Sequence, residues 1–391
     1  MANYLLVQPP WPHFGKTKQV CKYFPYAFLK LSSFYRSQGH NVAVVTADDF
    51  TDNSPQSSLF NSNKVPFVPD VIGFSTVFSY WFETLKRTID RYAALYPHAK
   101  ILIGGPHASL APDVYRKAYP EAEVYSGYME EAEALEPAWD LMPGNVRTQI
   151  IQFSRGCRRK CSFCYAWRQG YQTFGWDEIA PRLRFRSLIS NDLNLALHKD
   201  VEEILTNLSS HTINGKPIQS VDVQGGWDVR VLAHRPDLIK LFRKAHMKNV
   251  RLAFDDDLWM APLVTECVRM LIDAGYHRRD IRCFVLYNHD LGFETIVKKI
   301  EILARLGVGC IHSRFRPLSS LSDGYIKQKK TQDDGEYYIH KEGGWTDPKV
   351  RIIGSLASDV SRMARAGVDN LDDVRRYYGR PTLAETLRLA A

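Results

Sequence analysis

Several features that would identify other classes of protein are missing from this chain. No apolar run among its 391 residues approaches the length needed to cross a membrane. The segment from Met1 to Val7 lacks a charged leader and runs into Gln8-Pro9-Pro10, so we expect a first strand rather than a signal peptide. With 45% hydrophobic residues there is material for buried cores, and we expect a cytoplasmic protein.

Cysteine is scarce, and its distribution does not form a disulfide pattern. The chain has seven cysteines, an odd number. Cys283 and Cys310 lie in apolar, strand-like runs and Cys267 lies in a helical one, so ordinary packing is expected for them. Cys21 lies in a polar loop after the first strand, where a thiol without chemistry is the favoured interpretation.

The other three cysteines lie close together, and they are the most informative feature of the chain. Cys157, Cys161 and Cys164 are separated by three and two residues. Thiolates are the usual ligands of iron–sulfur clusters, and these short gaps let one loop curl round a single cluster. The spacing suits three irons of a 4Fe–4S cube and leaves the fourth iron open for chemistry.

The cysteine loop is also basic. It carries Arg155, Arg158, Arg159 and Lys160. We expect the charge of these residues to lower the pKa values of the thiols and to offset the negative cluster.

A zinc site and a set of plain thiols are the alternatives to a cluster at these cysteines. A structural zinc site normally closes with four Cys or His ligands. The closest histidines, His107 and His198, are far along the chain, and no fourth cysteine lies between Cys21 and Cys267. Three reduced thiols without a cofactor do not need this spacing or a basic loop. A cluster is favoured over both alternatives.

The run resembles the radical S-adenosylmethionine (SAM) superfamily, whose signature is CxxxCxxC with an aromatic residue before the last cysteine, here Phe163. The resemblance implies Cys157, Cys161 and Cys164 as metal ligands and Phe163 as a neighbour of the adenine. It also implies that SAM chelates the open iron and that a reducing electron donor drives its cleavage. The resulting 5′-deoxyadenosyl radical then abstracts hydrogen from a substrate, which the sequence does not identify.

Residues 3 to 127 alternate short apolar runs with amphipathic stretches, as in a parallel sheet covered by helices. The predicted strands are Tyr4–Val7, Asn41–Val45, Val71–Ser75, Lys100–Ile103 and Ala122–Tyr125. Helices are expected over Tyr26–Arg36 and Phe82–Leu95, where apolar residues recur at helical spacing. The pattern predicts a doubly wound, Rossmann-like domain with its ligand crevice at the carboxyl ends of the strands.

This half resembles the cobalamin-binding domain found ahead of the radical core in one branch of the superfamily. The family's Ser-x-Leu turn and Gly-Gly pair correspond here to Ser75-Thr76-Val77 and to Gly104-Gly105. The resemblance implies that Ser75, Gly104 and Gly105 contact a cofactor, whereas ordinary strand-to-helix turns also favour Gly and Ser. The family's Asp-x-His-x-x-Gly segment is missing, and His13-Phe14-Gly15 does not reproduce its spacing. Bound cobalamin and an empty or repurposed domain both remain open.

From Met142 onward the pattern changes, and it resembles the partial (β/α) TIM-type barrel of the radical SAM core. Strands are expected over Val146–Ser154, Ile218–Gln224, Val250–Phe254, Ile281–Tyr287 and Val308–Ile311. Helices are expected over Val201–Leu208, Pro236–Ala245, Met260–Ala274 and Phe293–Leu306. The expected organisation is a cobalamin-binding-type domain over 1–140, the core barrel over 146–320 and a C-terminal extension over 321–391.

Candidate SAM contacts follow the predicted strands of the core, as catalytic groups do in barrel enzymes. At the end of the second strand the family has a Gly-Gly-Glu segment that receives the SAM amino group. Here Gln224-Gly225-Gly226-Trp227-Asp228 lacks the acid, so the resemblance implies backbone contacts from Gly225 and Gly226, with help from Gln224 or Asp228. The alternative is a glycine-rich strand end with Trp227 in the core.

Three further candidates end the later strands. Asp255 is expected to face the SAM ribose or the substrate, whereas Asp257 is expected to cap a helix. The resemblance implies that Asn288 binds SAM hydroxyls or carboxylate, with a turn-forming Asn as the alternative. It further implies that Arg314 pairs with the SAM carboxylate, with a surface salt bridge as the alternative. No residue is nominated as catalytic.

The function predicted from these motifs is radical SAM chemistry on an unidentified substrate, with methyl transfer favoured if cobalamin binds. The net charge of +8 also suits an acidic partner, so a nucleic-acid-modifying or binding protein with a structural cluster is a competing prediction. Basic residues concentrate between Arg155 and Arg186, but no zinc finger, RNA-recognition signature or basic-aromatic platform accompanies them. A methylthiotransferase is a further alternative, but Cys21 alone does not support its second cluster.

Overall fold

The computed structural model describes residues 1–10, 25–46, 65–142, 146–325 and 337–388. The chain forms two compact units. The first contains residues 1–146 and 317–338, and the second contains residues 147–316 and 339–391. The chain beyond the barrel is therefore divided between the two units. None of the described helices is both long and apolar enough to span a membrane.

The first unit is built on a five-stranded sheet in the order β2-β1-β3-β4-β5, and all of its pairings are parallel. Its strands are β1 (Asn3–Gln8), β2 (Asn41–Thr46), β3 (Val71–Ser75), β4 (Lys100–Gly104) and β5 (Glu123–Val124). Its helices are α1 (Tyr26–Ser37), α2 (Phe82–Leu95), α3 (Pro106–Leu110), α4 (Pro112–Ala118) and α5 (Glu130–Glu133). This strand order is that of flavodoxin-like doubly wound folds, in which ligands bind at the carboxyl edge.

Strand β1 shows why helices are needed on both faces of this sheet. Its side chains alternate, so that Leu5 and Val7 belong to one buried cluster and Leu6 to another. Ile89 of α2 packs in the first cluster, and Phe28 of α1 packs in the second. Burial of these apolar faces is the main driving force for the unit.

The second unit contains two parallel sheets of three strands each, ordered β12-β9-β6 and β13-β14-β15. The strands are β6 (Thr148–Ile151), β7 (Ser154–Gly156), β8 (Tyr171–Thr173), β9 (Ser187–Ser190), β10 (Thr212–Ile213), β11 (Lys216–Pro217), β12 (Ser220–Val223), β13 (Val250–Ala253), β14 (Ile281–Tyr287) and β15 (Gly309–Arg314). Parallel bridges from Val221 to Met247 and from Trp227 to Leu252 join the two sheets into one series, which forms a partial barrel wall.

Helices alternate with these strands and supply the outer layer. They are α6 (Trp176–Ile179), α7 (Val201–Ser210), α8 (Val229–Leu232), α9 (Pro236–Lys244), α10 (Ala261–Asp273) and α11 (Phe293–Leu306). After the barrel strands come α12 (Asp347–Ala366), α13 (Leu371–Tyr377) and α14 (Leu383–Arg388). The α/β fold class predicted from the sequence is confirmed.

One barrel strand, β9, was not predicted from the sequence. Its four residues, Ser187-Leu188-Ile189-Ser190, follow a strongly basic stretch and form too short an apolar run to show a period. Every later strand therefore moves up by one position, so that Gly225 and Gly226 follow the third barrel strand rather than the second. The end of the second strand is occupied instead by the segment that begins at Asn191.

Candidate functional site

The cysteine loop begins where two short strands pair closely. Strands β7 and β8 pair in antiparallel fashion, with Gly156 opposite Tyr171. Gly156 has a φ of +65°, and a Cβ at this position would collide with the carbonyl oxygen of Gly170. Only glycine satisfies both conditions, so Gly156 fixes the direction in which the chain enters the loop.

All three cysteines of the loop are half-buried free thiols. The backbone amide of Arg159 donates to Cys157 Sγ at 3.3 Å, and that of Ala166 donates to Cys164 Sγ at 3.5 Å. Hydrogen bonds to the sulfurs are a normal part of iron–sulfur sites, where they help to set the reduction potential. The loop therefore already presents donors to two of its sulfurs.

A buried carboxylate anchors the strand from which the loop departs. Asp192, fully buried, accepts hydrogen bonds from Ser154 Oγ at 2.7 Å, Ser190 Oγ at 2.6 Å and the amide of Phe153 at 3.2 Å. Burial raises the pKa of the Asp192 carboxyl, and these donors oppose the rise. The carboxylate thereby joins β7 to the end of β9.

We expect Asp192→Ala to destabilise the second unit, because three buried donors would lose their acceptor. Each unsatisfied buried group costs about 1–3 kcal/mol, so the free energy of unfolding should fall by about 3 kcal/mol or more. Urea denaturation followed by circular dichroism would measure it. Asp369→Ala, at an exposed position, is the control and should change stability by less than about 0.5 kcal/mol. Equal effects of the two substitutions would contradict this role.

A second buried carboxylate, Asp228, connects the cysteine loop to the barrel. It is 2% exposed and caps α8 by accepting from the amide of Arg230. Its side chain also accepts from Arg159 Nε at 2.9 Å and from Asn194 Nδ2 at 3.1 Å. Asp228 is thus engaged with protein groups, and Trp227 is buried in the core, as its alternative interpretation held.

The basic residues of the loop do not act on the thiols as expected. The Arg155 guanidinium lies over the Phe174 ring at 4.9 Å, that of Arg158 lies over the Tyr171 ring at 4.8 Å, and Arg159 binds Asp228. The cation whose charge acts on the pKa of Cys161 is Arg230, which follows a later strand.

The expected fall in thiol pKa is also wrong for two of the three cysteines. Burial raises the pKa of Cys161, although the Arg230 guanidinium opposes the rise. Burial likewise raises the pKa of Cys164, against the hydrogen bond from the amide of Ala166. The sequence shows the charges of the loop but not the directions in which they point, and desolvation outweighs them.

A cavity of about 460 Å³ opens beside the cysteine loop. It is lined by Arg159, Lys160, Cys161, Ser162, Phe163, Arg230, Asp255, Asp256, Leu286, His289, Asp290 and Leu291. These residues come from the loop, from α8 and from the carboxyl ends of β13 and β14. The volume lies within the range of small-molecule sites, and the lining includes both cations and carboxylates.

Two of the predicted SAM contacts, Phe163 and Asp255, line this cavity. Phe163 makes an edge-to-face contact with His289, with ring centroids 6.0 Å apart. Burial raises the pKa of Asp255 to about 6, and the charge of Lys299 opposes the rise. Lys299 is buried beneath this segment and donates from Nζ to the carbonyl of Asp256 at 2.8 Å.

The other predicted contacts lie outside the cavity lining. A Cβ on Gly225 would collide with the carbonyl of Asp192, and Gly226, at φ +81°, lies against the Phe284 ring. These glycines therefore serve close packing. The backbone N–H of Gln224 donates to Ser190 O at 2.9 Å, which continues the sheet pairing.

Arg314 ends β15 in register with Tyr287 and is buried, so the alternative to its predicted SAM contact, a surface salt bridge, is wrong. The expected cap is confirmed, because Asp257 accepts from the amide of Leu258 at 2.6 Å.

Asn288 uses both ends of its amide to join separate segments. It has a φ of +63°, donates from Nδ2 to Phe315 O at 3.1 Å and accepts from the amide of His340 at 2.9 Å. The turn-forming interpretation of Asn288 therefore describes its geometry. His340 is thereby placed next to His289, with ring centroids 5.9 Å apart.

Arg230, His289 and Asp290 line the cavity but were not predicted from the sequence. His289 and Asp290 directly follow Asn288 at the end of a strand, and that position was a usable signal because functional groups gather there. Arg230 carried no signal, since its role depends on the buried Asp228. Lys299, in the middle of a helix, gave no sign of being buried.

In the first unit, the predicted cofactor residues meet at the carboxyl edge of the sheet. Ser75 pairs with Gly104 at the ends of β3 and β4. Gly105 has a φ of +106°, and a Cβ there would lie 2.6 Å from the carbonyl oxygen of Thr76. The glycine thus permits the two turns to approach closely.

His107, next to this edge, is committed to the protein. It is buried, with Nδ1 2.6 Å from Tyr115 OH and Nε2 3.1 Å from Leu318 O. The predicted loop positions His13 and Cys21 lie outside the described residues.

The donor set of the cysteine loop distinguishes between two kinds of metal centre. Among the described residues, no three His, Cys, Asp or Glu side chains gather closely enough to hold a single ion. A zinc ion would need such a group. Three cysteines that bind three different irons of a cube stand farther apart than ligands of one ion, and Cys161 opens onto a cavity. The free thiols, the backbone donors to two of their sulfurs and the cavity at Cys161 fit a cluster with an open iron.

Comparisons with known proteins agree with this architecture. Residues 22–136 match the family model described as B12 binding domain. Among solved structures, the chain is similar to one described as a cobalamin-dependent S-adenosylmethionine radical enzyme, OxsB, with aqua-cobalamin bound. The TM-score is 0.53 at 13% identity, over 80% of this chain and 53% of that chain. The chain thus spans about half the length of that enzyme. Comparison with curated protein sequences gives no match.

The resemblance recognised from the sequence agrees with both comparisons: residues 22–136 match a B12 binding domain, and the fold is similar to that of a cobalamin-dependent radical SAM enzyme. At 13% identity the structural similarity shows the fold. The activity and ligands of this chain are a separate question.

Proposed function

We propose that this protein is a radical SAM enzyme with a cobalamin-binding domain. Cys157, Cys161 and Cys164 would hold a 4Fe–4S cluster, and SAM would occupy the cavity beside Cys161. One observation carries the proposal: the three-cysteine loop opens onto a cavity at the carboxyl ends of a parallel barrel. When bound, the reduced cluster and SAM supply a 5′-deoxyadenosyl radical that abstracts hydrogen from a substrate.

The cavity residues have chemistry that suits SAM, which carries an ammonium, a carboxylate and an adenine. Asp255 and Asp256 offer carboxylates for the ammonium or the ribose hydroxyls, and Lys160 offers a cation for the carboxylate. Phe163 presents an aromatic surface for the adenine. Arg314, Asn288 and the Gln224–Gly226 segment remain predicted contacts that would need to reach SAM from outside the cavity lining.

Cobalamin is the proposed ligand of the first unit. The family match over residues 22–136 and the paired turns at Ser75 and Gly104 support it. Gly105 and Gly104 would let the ring approach the backbone closely. Since His107 is committed to Tyr115 and Leu318, it is not proposed as a cobalt ligand. If cobalamin binds, methyl transfer to an unactivated carbon or phosphorus is the favoured reaction, and a second SAM would serve as methyl donor.

The alternative of a nucleic-acid protein receives no specific support from the described residues. The basic segment on which it rested uses much of its charge internally, since Arg184 donates to Pro181 O and Arg186 donates to Pro217 O. We also propose a cytoplasmic location, in which the thiols stay reduced. The six described cysteines are free, which agrees with such a compartment.

Anaerobic reconstitution with iron and sulfide tests the proposal. The optical spectrum should show a cluster, and added SAM and dithionite should yield 5′-deoxyadenosine. Parallel samples with hydroxocobalamin should show a retained cobalt spectrum after gel filtration. Absence of deoxyadenosine from cluster-loaded protein would contradict the radical SAM assignment, whereas loss of cobalamin on the column would contradict only the role of the first unit.

A further inference from the structure

Arg230, a cation near the cysteine loop, is held by a two-point contact with a carboxylate. Its Nε lies 2.7 Å from Asp228 Oδ1, and its Nη2 lies 3.0 Å from Asp228 Oδ2. The amide of the same residue donates to Oδ1 at 3.1 Å. This two-point contact holds the plane of the guanidinium in one orientation.

Asp228 cannot easily release Arg230, because the carboxylate is itself held from three sides. Arg159 comes from the cysteine loop, Asn194 comes from the segment after β9, and the start of α8 supplies the capped amide. A buried carboxylate requires such partners, and here the charge of Asp228 is balanced by two arginines. Hydrogen bonds and the charge of Arg230 lower the pKa of Asp228 against its desolvation, which keeps it ionised.

The clamped guanidinium lies close to one cysteine of the loop. Arg230 and Cys161 line the same cavity, and the charge of Arg230 opposes the rise that burial causes in the pKa of the Cys161 thiol. The other two cysteines receive backbone donors, from Arg159 and Ala166. Cys161 is therefore the proposed ligand that shares the cavity wall with the clamped guanidinium of Arg230.

We propose that Arg230, positioned by Asp228, raises the reduction potential of the cluster through its positive charge beside Cys161. The inference rests on the proposed function, since it assumes that Cys161 binds iron. The potential of a cluster depends on its net charge and on hydrogen bonds to its sulfurs. Reduction adds an electron and makes the cluster more negative, so a cationic donor stabilises the reduced form more than the oxidised form. Arg230 is thus a positioning and tuning residue rather than a catalytic one.

The test is a redox titration of reconstituted protein, followed by EPR of the reduced cluster, with Arg230→Met compared with wild type. We expect the ratio of reduced to oxidised cluster at a fixed potential to fall about tenfold, which is about 59 mV for a one-electron couple. Arg235→Met is the matched control, because Arg235 also binds carboxylates, those of Glu202 and Asp237, but does not line the cavity. Its potential should equal that of wild type.

The outcomes separate this inference from the proposed function. If wild type gives no cluster signal, the proposed function fails. If wild type holds a cluster and Arg230→Met holds the same iron at an unchanged potential, the role of Arg230 is overturned. If Arg230→Met loses iron, Arg230→Gln replaces it in the titration, because glutamine keeps a neutral donor. A lowered potential in Arg230→Gln supports the role of the charge. A potential equal to that of wild type overturns it.

Discussion

Replacing Cys161 by alanine should abolish 5′-deoxyadenosine formation. The substitution removes one of three proposed iron ligands, and it removes it from the wall of the cavity that Arg230 also lines. Even loss of an outer partner typically costs a metal site about 10–100-fold, so loss of a ligand should leave less than about 1% of wild-type product. Chromatographic assay of anaerobic reactions, with iron and sulfide determined on the same samples, measures both effects.

Cys267→Ala is the matched control for this experiment. Cys267 is a fully buried thiol of α10, remote in sequence from the loop, and its Sγ lies 3.9 Å from the carbonyl oxygen of Val229. The same chemical change there should cost some stability by leaving a small cavity but should leave iron content and product formation intact. Full turnover in Cys161→Ala, or equal loss in both variants, would contradict the assignment of Cys161 as a ligand.

Gly156→Ala should have the largest effect on the cysteine loop of any glycine substitution in the second unit. The new Cβ would collide with the backbone carbonyl of Gly170, and the residue would have to keep a φ of +65°. Because the obstacle is backbone rather than a flexible side chain, β7 and β8 must separate. We expect a loss of about 4 kcal/mol or more in the free energy of unfolding, together with loss of bound iron after reconstitution.

The hairpin glycine Gly215 provides the control for Gly156. It has a φ of +71°, but a Cβ there would meet nothing within 4 Å. Gly215→Ala therefore incurs the left-handed strain alone, about 1–2 kcal/mol, and should retain the cluster. Comparison of the two variants by urea denaturation and iron content isolates the effect of the collision between the new Cβ at Gly156 and the carbonyl of Gly170. Similar losses in both would show that backbone strain, not the collision, controls the loop.

Long periodic patterns allowed two elements of the second unit to be predicted at their observed bounds. These are strand β14 and helix α11, whose apolar residues repeat over 7 and 14 residues respectively. Strand β9, with four residues, has no room for a pattern, and its absence shifted the positions assigned to all later strand ends.

The metal ligands could be proposed from spacing alone, since cysteines at short intervals constrain one another along the chain. The partners of the loop residues could not be predicted from the sequence. Arg159 and Arg230 both bind Asp228, from which they are 69 and 2 residues away in sequence, respectively. The pairing with Arg159 depends on how the strands close into a barrel. Gly225 looked like a cofactor contact because its residue type fits one, yet its neighbour is the carbonyl of Asp192. Residue type gives the possible roles, and only the packing distinguishes among them.

The central claim is that three cysteines leave one iron of a 4Fe–4S cluster open to SAM. EPR of the dithionite-reduced protein, recorded before and after addition of SAM, tests it most directly. We expect the signal of a reduced 4Fe–4S cluster whose shape changes when SAM binds at the open iron. A chain that takes up zinc in place of iron, or a cluster signal that SAM leaves unchanged, would contradict it.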